Sequence, residues 1–222
     1  MSPNSIDNII FRKEKTNPTL QCDDALYDLP RYKDTEYLAP LENFVPFIKA
    51  CEANVRKSKY YRRYIAYIKN DIGLNACQIL GNVQEMDESE RLIDMHHGPL
   101  LTLFDYCAIV TNYLLYNNKR IDTFRVANIV IEEHFKNNVQ IIMVSETVHD
   151  AIHTPGGPFI SLDQGFGDVY TFLKKYKNGL DSDTIYKINR YYEVSKKYGT
   201  FDKDLFKINT LANKVNDTFD FL

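Results

Sequence analysis

Four of the five histidines of this 222-residue chain fall into two tight clusters, and these clusters constrain the fold more than any other feature. His96 and His97 are adjacent at the end of a predicted strand, and His149 and His153 are four positions apart in a predicted helix. Residues at that spacing lie on one helical face. Neutral imidazole is the most common protein ligand for zinc and related divalent metals. The pattern therefore predicts that a strand end and one helical turn meet around a single divalent ion.

The composition allows a sizeable core and excludes several classes of protein. Hydrophobic residues make up 44% of the chain, and its 27 basic and 30 acidic residues give a formal net charge of -3. Any contact with nucleic acid must therefore come from a local patch. No apolar run approaches the roughly 20 residues that span a bilayer, and the first residues lack the apolar stretch of a signal peptide. The four cysteines form no CxxC pair, which favours reduced thiols in a cytoplasm.

The hydrophobic periodicity predicts a mostly helical α+β chain with three short strands. The predicted helices cover about 41–55, 58–70, 103–114, 122–135 and 145–152, and most of the chain from residue 169 onward, with breaks near residues 179 and 199. The predicted strands cover residues 76–80, 91–96 and 139–144, and an acidic turn lies at 84–90. Asp122 or Thr123 is the expected N-cap of the fourth helix, and Ser145 that of the fifth.

Two segments resemble the halves of the HNH, or ββα-metal, endonuclease motif. Residues 94–97 (Asp-Met-His-His) are similar to its opening, which has an acidic residue two positions before the first histidine. Residues 138–153 are similar to its second half, an Asn-led strand followed by a helix that ends in His-x3-His. The three-histidine pattern resembles that of colicin-type DNases. The strings Met-His-His-Gly-Pro and Thr-Leu-Phe-Asp also resemble those of bacteriophage proteins.

The resemblance implies a role for each matching residue. His96, His149 and His153 would bind one divalent metal ion (Mg, Mn, Zn or Ni). His97 would be the general base that activates water. Asn138, or Asn137 in its place, would hold the second strand so that a backbone carbonyl orients this base, and Asp94 would steady the strand or a ligand imidazole. The chain would then hydrolyse phosphodiester bonds in DNA, in the cytoplasm of a host if a phage encodes it. His134 is expected to be structural or on the surface.

A basic segment between Glu52 and Asp71 is the candidate DNA-binding surface, because it holds no acidic residue and interleaves tyrosines with cations. The expected nucleic-acid-binding residues are Arg56, Lys57, Lys59, Arg62 and Arg63. The competing interpretation is a solvated helix face whose tyrosines pack inward. A weaker basic candidate lies at residues 174–177 and 196–198.

Two other functions remain open at the level of sequence. One is a non-catalytic HNH scaffold that serves as a structural or partner-binding protein, for example in a phage particle. The other is an HD-type phosphohydrolase, which needs an all-helical surround that the strand-like segment 139–144 disfavours. Its residues would be His96 or His97, His149 with Asp150, and Asp163 or Asp168.

The expected architecture is one mostly helical α+β domain around a small ββα-metal core. Residues 1–40 are expected to form an irregular N-terminal arm, 41–168 the HNH-like core with a helical insert at about 100–136, and 169–222 a C-terminal helical extension.

Overall fold

The structure, a computed structural model, describes residues 38–81, 93–199 and 202–219. Eight α-helices and one two-stranded sheet make up this part of the chain. In chain order they are α1 (Leu41–Lys57), α2 (Lys59–Asn70), β1 (Ile93–His97), α3 (Leu103–Tyr116), α4 (Thr123–Phe135), β2 (Ile141–Ser145), α5 (Glu146–His153), α6 (Val169–Lys175), α7 (Ser182–Tyr198) and α8 (Lys203–Phe219). The mostly helical α+β class is therefore confirmed. The predicted irregular arm, apart from residues 38–40, and the predicted acidic turn lie outside the described residues.

Side-chain caps explain where several helices begin. Ser58 accepts a hydrogen bond from the backbone N–H of Tyr60 at the start of α2. Thr102 and Asp105 form a reciprocal capping box that starts α3, which satisfies two backbone donors at once. Asp122, one of the two predicted caps, accepts from Arg125 N–H at the start of α4. Ser145 precedes α5 as predicted, but its hydroxyl makes no capping bond.

The sheet places the two histidine segments next to each other. β1 pairs with β2 in the antiparallel sense, with His96 opposite Ile142 and His97 opposite Ile141. All five residues of β2 are buried, so this strand lies inside the molecule. Because α5 follows β2 without a linker, it packs against both strands.

One continuous cluster of buried apolar side chains extends from Leu38 to Val215. The helices α1, α3 and α4 pack against one another. Near the C-terminus, α8 packs on α6 and α7, and the 3-10 turn Lys177–Gly179 packs on α3. The helical insert between the strands is therefore part of the core and is not a surface appendage.

The strand predicted at residues 76–80 is wrong. Apart from a single bridge residue at Ala76, this segment is a turn closed by a hydrogen bond from Gly81 N–H to Cys77 O at 2.7 Å. Cys77 of this turn is buried, and Gln78 joins the turn to β2. Its backbone N–H donates to Met143 O at 2.8 Å, and its side-chain Oε1 accepts from Met143 N–H at 2.7 Å. Gln78 thus pairs with both backbone polar groups of Met143 in β2, at the place where a third strand was expected.

No helix among the described residues is long and apolar enough to cross a membrane.

Candidate metal centre

His96, His149 and His153 come together at the surface where β1 meets α5. Each offers one ring nitrogen, and these three atoms all lie within 4.8 Å of one another. The ring centroids are 5.3 Å apart for His96 and His149, 5.1 Å for His96 and His153, and 4.7 Å for His149 and His153. His96 and His149 are half-buried and His153 is exposed, so the cluster is open to solvent on one side.

The local sequence explains this arrangement. Adjacent strand residues point to opposite faces, so His96 can face α5 while His97 faces the core. On α5 the buried Val148 anchors the helix, and the i, i+4 spacing then aligns the two imidazoles on the face toward β1. The sequence prediction of which histidines share a site rests on these two periodicities.

The donor set fits a divalent transition metal. Zinc binds imidazole nitrogens at about 2.0–2.1 Å, so tetrahedral ligands stand about 3.4 Å apart. Nitrogens within 4.8 Å of one another need only small side-chain rotations to reach that geometry. Three ligands leave at least one coordination position for water or another donor.

Burial is the largest cause that lowers the pKa of His96, which falls to about 4. The positive charges of His149, His153 and Arg56 act in the same direction, in decreasing order. His96 is therefore neutral near pH 7, which is the form that binds metals. Arg56, one of the predicted DNA-binding residues, therefore lies close enough to affect the charge of His96.

The carboxylate nearest to the histidine cluster is that of Asp150 and not that of Asp94, which was expected to steady the strand or an imidazole. Asp94 is exposed, and no hydrogen bond within the described residues joins it to a histidine. Asp150, by contrast, has its Oδ1 3.9 Å from Nδ1 of His149. That separation is within ion-pair range but is too long for a hydrogen bond that would fix the orientation of the ring. On sequence, Asp150 was a candidate only for the HD alternative, although its position directly after His149 was a usable signal.

His97 lies in the core and not at the metal centre. It is 5% exposed, and its Nε2 is 2.9 Å from Nε2 of His134. His134 Nδ1 is 2.6 Å from Val130 O, and a carbonyl only accepts, so His134 Nδ1 carries the proton. Neutral His134 therefore accepts at Nε2, and His97 donates to it from Nε2. Burial first, and then the positive charge that His134 carries when it is protonated, lower the pKa of His97 well below its usual value.

The environment of His97 differs from that of a base facing a water molecule. Tyr61 stacks on His97 with ring centroids 6.1 Å apart and contacts His134 edge-on at 5.5 Å. Tyr64 contacts His134 at 5.1 Å. His134, left as structural or on the surface in the sequence analysis, is fully buried. The pair is thus an internal polar contact enclosed by tyrosines.

Asn138 contributes to a different buried contact. Its Nδ2 donates to Glu133 Oε2 at 2.6 Å. Lys175 and the hydroxyl of Tyr176 donate to the other oxygen of Glu133, which is completely buried. Asn138 therefore anchors the end of α4, next to the segment that enters β2. The substitute, Asn137, has a positive φ of 56° and accepts from Asp168 N–H through its backbone carbonyl.

Of the aspartates proposed for an HD-type site, Asp150 adjoins His149, but Asp163 and Asp168 do not lie in the histidine cluster. Asp168 caps α6 by accepting from Thr171 N–H and Oγ1, and Asp163 is exposed on a separate 3-10 turn. Neither belongs to the histidine cluster. The buried strand β2 also contradicts the all-helical surround that this reading requires.

The basic segment forms the exposed side of α1 and α2. Its expected nucleic-acid-binding residues are all exposed: Arg56, Lys57, Lys59, Arg62 and Arg63. Tyr61 and Tyr64 are buried, and Tyr60 and Tyr67 are half-buried. These tyrosines pack inward, as the competing interpretation of a solvated helix face expects.

Together, the fold and the cluster define a mostly helical α+β protein with an open three-histidine centre beside a two-stranded sheet. The sequence profile of the bacteriophage G278-like virion proteins matches residues 1–218, and the chain belongs to that family. Comparison with curated proteins and with solved structures found no match.

The family corrects the function expected from the HNH resemblance. A virion protein family points to a structural role, so the prediction of a DNA-cleaving endonuclease is wrong. The resemblance to bacteriophage proteins is confirmed, whereas nothing supports DNA binding. The catalytic roles assigned to His97, Asn138 and Asp94 lose their basis with the nuclease.

Proposed function

We propose that this chain is a non-catalytic component of a phage particle, built on an HNH-like ββα scaffold that keeps the metal centre of that scaffold. The family match over residues 1–218 carries the structural role. The three converging imidazoles support the metal, for which zinc is the leading candidate, because a three-nitrogen set suits its tetrahedral preference.

The metal would serve stability in this proposal. It would join β1 to α5, two elements whose histidines are far apart in sequence but adjacent in space. A ligand that binds only the folded chain raises its stability. Particle proteins have to hold their shape during assembly, so a cross-link of this kind suits the role.

The placement of His97 supports the absence of catalysis. A general base must lie within about 3.2 Å of the proton that it removes, directly or through one water molecule. The Nε2 of His97 is already engaged as a donor to His134, and the residue is buried. Phosphodiester hydrolysis at the metal would need another base.

Two measurements test the proposal. Mass spectrometry of purified particles from a phage that encodes the chain should find it in stoichiometric amounts, and its absence from particles would refute the structural role. Elemental analysis of the purified chain should find one transition-metal ion per chain, and His149→Ala should lose it. Thr147→Ala, an exposed change on the same helix, should keep the ion and serves as the control.

An activity assay separates this function from a nuclease. Supercoiled plasmid incubated with the chain and Mg²⁺, Mn²⁺, Zn²⁺ or Ni²⁺ should stay supercoiled. Nicking that disappears in His149→Ala but persists in Thr147→Ala would overturn the non-catalytic reading.

A further inference from the structure

The candidate metal centre has one ligand fewer than a structural site requires. Structural zinc sites are bound by four protein ligands, whereas three protein ligands and one open position are typical of catalytic sites. His96, His149 and His153 form the one group of converging ligand atoms among residues 38–81, 93–199 and 202–219. A structural ion at this place therefore calls for a fourth donor.

Three carboxylates lie on the two elements that carry the histidines. Asp94 is on β1, Glu146 and Asp150 are on α5, and all three are exposed. Carboxylate oxygens bind zinc at about 2.0–2.2 Å. Three neutral imidazoles leave the charge of a divalent ion uncompensated, and the guanidinium of Arg56 lies within electrostatic range of His96. An anionic fourth ligand would offset this local excess of positive charge.

Asp150 is the carboxylate whose contact with a ligand histidine is closest. Its Oδ1 is 3.9 Å from Nδ1 of His149, and ligands of a tetrahedral site stand about 3.4 Å apart. A helix turns by about 100° per residue, so Asp150 and His153 are both displaced from His149 in the same sense, by about 100° and about 40°. The nitrogen of His149 that faces Asp150 therefore lies on the side of His153.

The rise of the helix distinguishes Asp150 from Glu146. Along the axis of α5, Asp150 lies about 1.5 Å beyond His149 and thus between the two histidines, which are about 6 Å apart. Glu146 lies about 4.5 Å on the other side of His149 and about 10.5 Å from His153. An ion bound by both histidines is therefore closer to the level of Asp150.

The carboxylate of Asp150 can reorient. Its side chain is 78% exposed, and its contact with His149 is too long to hold it in place. Among the described residues no hydrogen bond engages this carboxylate, which stands outside the converging group of ligand atoms. Exposed side chains exchange rotamers within nanoseconds. A bound ion could therefore draw the carboxylate in without disturbing the fold.

We propose that Asp150 is the fourth ligand of the ion and closes the site against water and other small donors. This inference rests on the proposed function, because it requires a structural ion at the three histidines. A closed set of four protein ligands leaves no position at which the ion could bind and activate a water molecule. The centre would then hold β1 to α5 without hydrolysing bonds.

The visible spectrum of the cobalt-loaded chain tests the proposal, with azide as the probe of an open position. Co²⁺ binds to the same donor types as Zn²⁺, and its absorption reports its coordination. Azide should leave the spectrum of the unaltered chain unchanged, because no position is open. In Asp150→Ala azide should bind and change the spectrum until it saturates. An azide response of the unaltered chain equal to that of Asp150→Ala would overturn the proposal.

Glu146→Ala is the matched control, because it removes an exposed carboxylate from the same helix. It should stay closed to azide and keep its zinc affinity within about threefold, since exposed charges are screened. Asp150→Ala should lose at least about tenfold in zinc affinity when a chelator competes. Equal losses in the two variants would show general charge attraction and would refute a ligand role of Asp150.

The azide response also separates a ligand from a residue that only orients His149. An orienting carboxylate would weaken zinc binding in Asp150→Ala, but azide would then reach the ion in the unaltered chain as well. Elemental analysis distinguishes the two proposals. If the unaltered chain binds no ion, the metal part of the proposed function fails together with this inference. If it binds one ion that azide reaches, only the role of Asp150 is refuted.

Discussion

His97 and His134 meet inside the core with their Nε2 atoms 2.9 Å apart, and each is neutral in this contact. The bond requires His97 to donate, because the other nitrogen of His134 is committed to Val130 O. The neighbouring residues His96 and His97 of β1 thus have different environments. His96 belongs to the open cluster at the surface, and His97 belongs to a buried polar pair.

The burial of His134 predicts a loss of stability in acid. Burial lowers its pKa from 6.5 to about 4, although Val130 O and Glu133 act in the opposite direction. The groups packed around it are His97 and the rings of Tyr61 and Tyr64. The unfolded chain therefore binds this proton first as the pH falls. The stability is fully present above pH 6.5 and is lost between pH 6.5 and about 4, by roughly 3 kcal/mol at 1.36 kcal/mol per pKa unit.

Urea unfolding of the metal-free chain at several pH values measures this effect. His134→Gln cannot titrate and should show a shallower decline of the free energy of unfolding between pH 6.5 and 4. A variant with the same slope as the unaltered chain would show that other groups cause the acid sensitivity.

The buried carboxylate of Glu133 predicts a large cost of truncation. Burial raises its pKa, but hydrogen bonds from Asn138, Lys175 and Tyr176 outweigh burial, so the net shift is downward and the group is ionised at neutral pH. Glu133→Ala would leave these donors without their acceptor, and we expect a loss of about 3 kcal/mol or more.

The control for Glu133 is an exposed ion pair. Glu193 contacts Lys196 at the surface of α7, and Glu193→Ala should change the free energy of unfolding by less than about 0.5 kcal/mol. Thermal or urea unfolding compares the two variants. Similar losses would mean that the buried network contributes no more than a surface pair.

The sequence predicted the secondary structure better than it predicted the roles of individual residues. Periodicity identified β1, β2 and α5, and the i, i+4 rule placed His149 beside His153. It could not reveal the partner of His97, because strand alternation says only that His97 faces away from His96. That partner, His134, comes from the inserted helix α4, and only the packing of this insert into the core brings the two together.

The function could not be read from the same residues for a related reason. A metal-binding motif fixes a ligand set, whereas catalysis also needs a base in contact with water. The spacing of the histidines predicts a ligand set, but it does not show whether a base contacts water. The surround of His97, set by Tyr61 and Tyr64 on α2, is a tertiary property. Likewise, the side chain of Gln78 accepts the hydrogen bond from Met143 N–H that a neighbouring strand would accept through its backbone. Hydrophobic periodicity does not predict such a side-chain contact.

Metal removal provides a third prediction. If a divalent ion joins His96 to α5, then zinc at 100 times its dissociation constant should stabilise the chain by about 2.7 kcal/mol, and chelation should remove that gain. Thermal unfolding with and without EDTA measures the shift. His153→Ala should unfold at nearly the same temperature in both conditions, whereas Thr147→Ala should respond as the unaltered chain does. An EDTA shift of equal size in His153→Ala would place the ion elsewhere.

Gly167 and Gly199 allow steric and conformational costs to be separated. Both have a positive φ, +110° and +67°, but a Cβ on Gly167 would lie 2.3 Å from Val139 O, whereas one on Gly199 would meet nothing within 4 Å. Gly199→Ala should therefore lose only about 1 kcal/mol, the usual cost of a left-handed conformation. Gly167→Ala also has to push its loop away from the backbone of Val139, just before β2, and we expect a loss of more than about 3 kcal/mol. Urea unfolding of both variants measures the difference, and equal losses would show that the loop can move away from Val139 without cost.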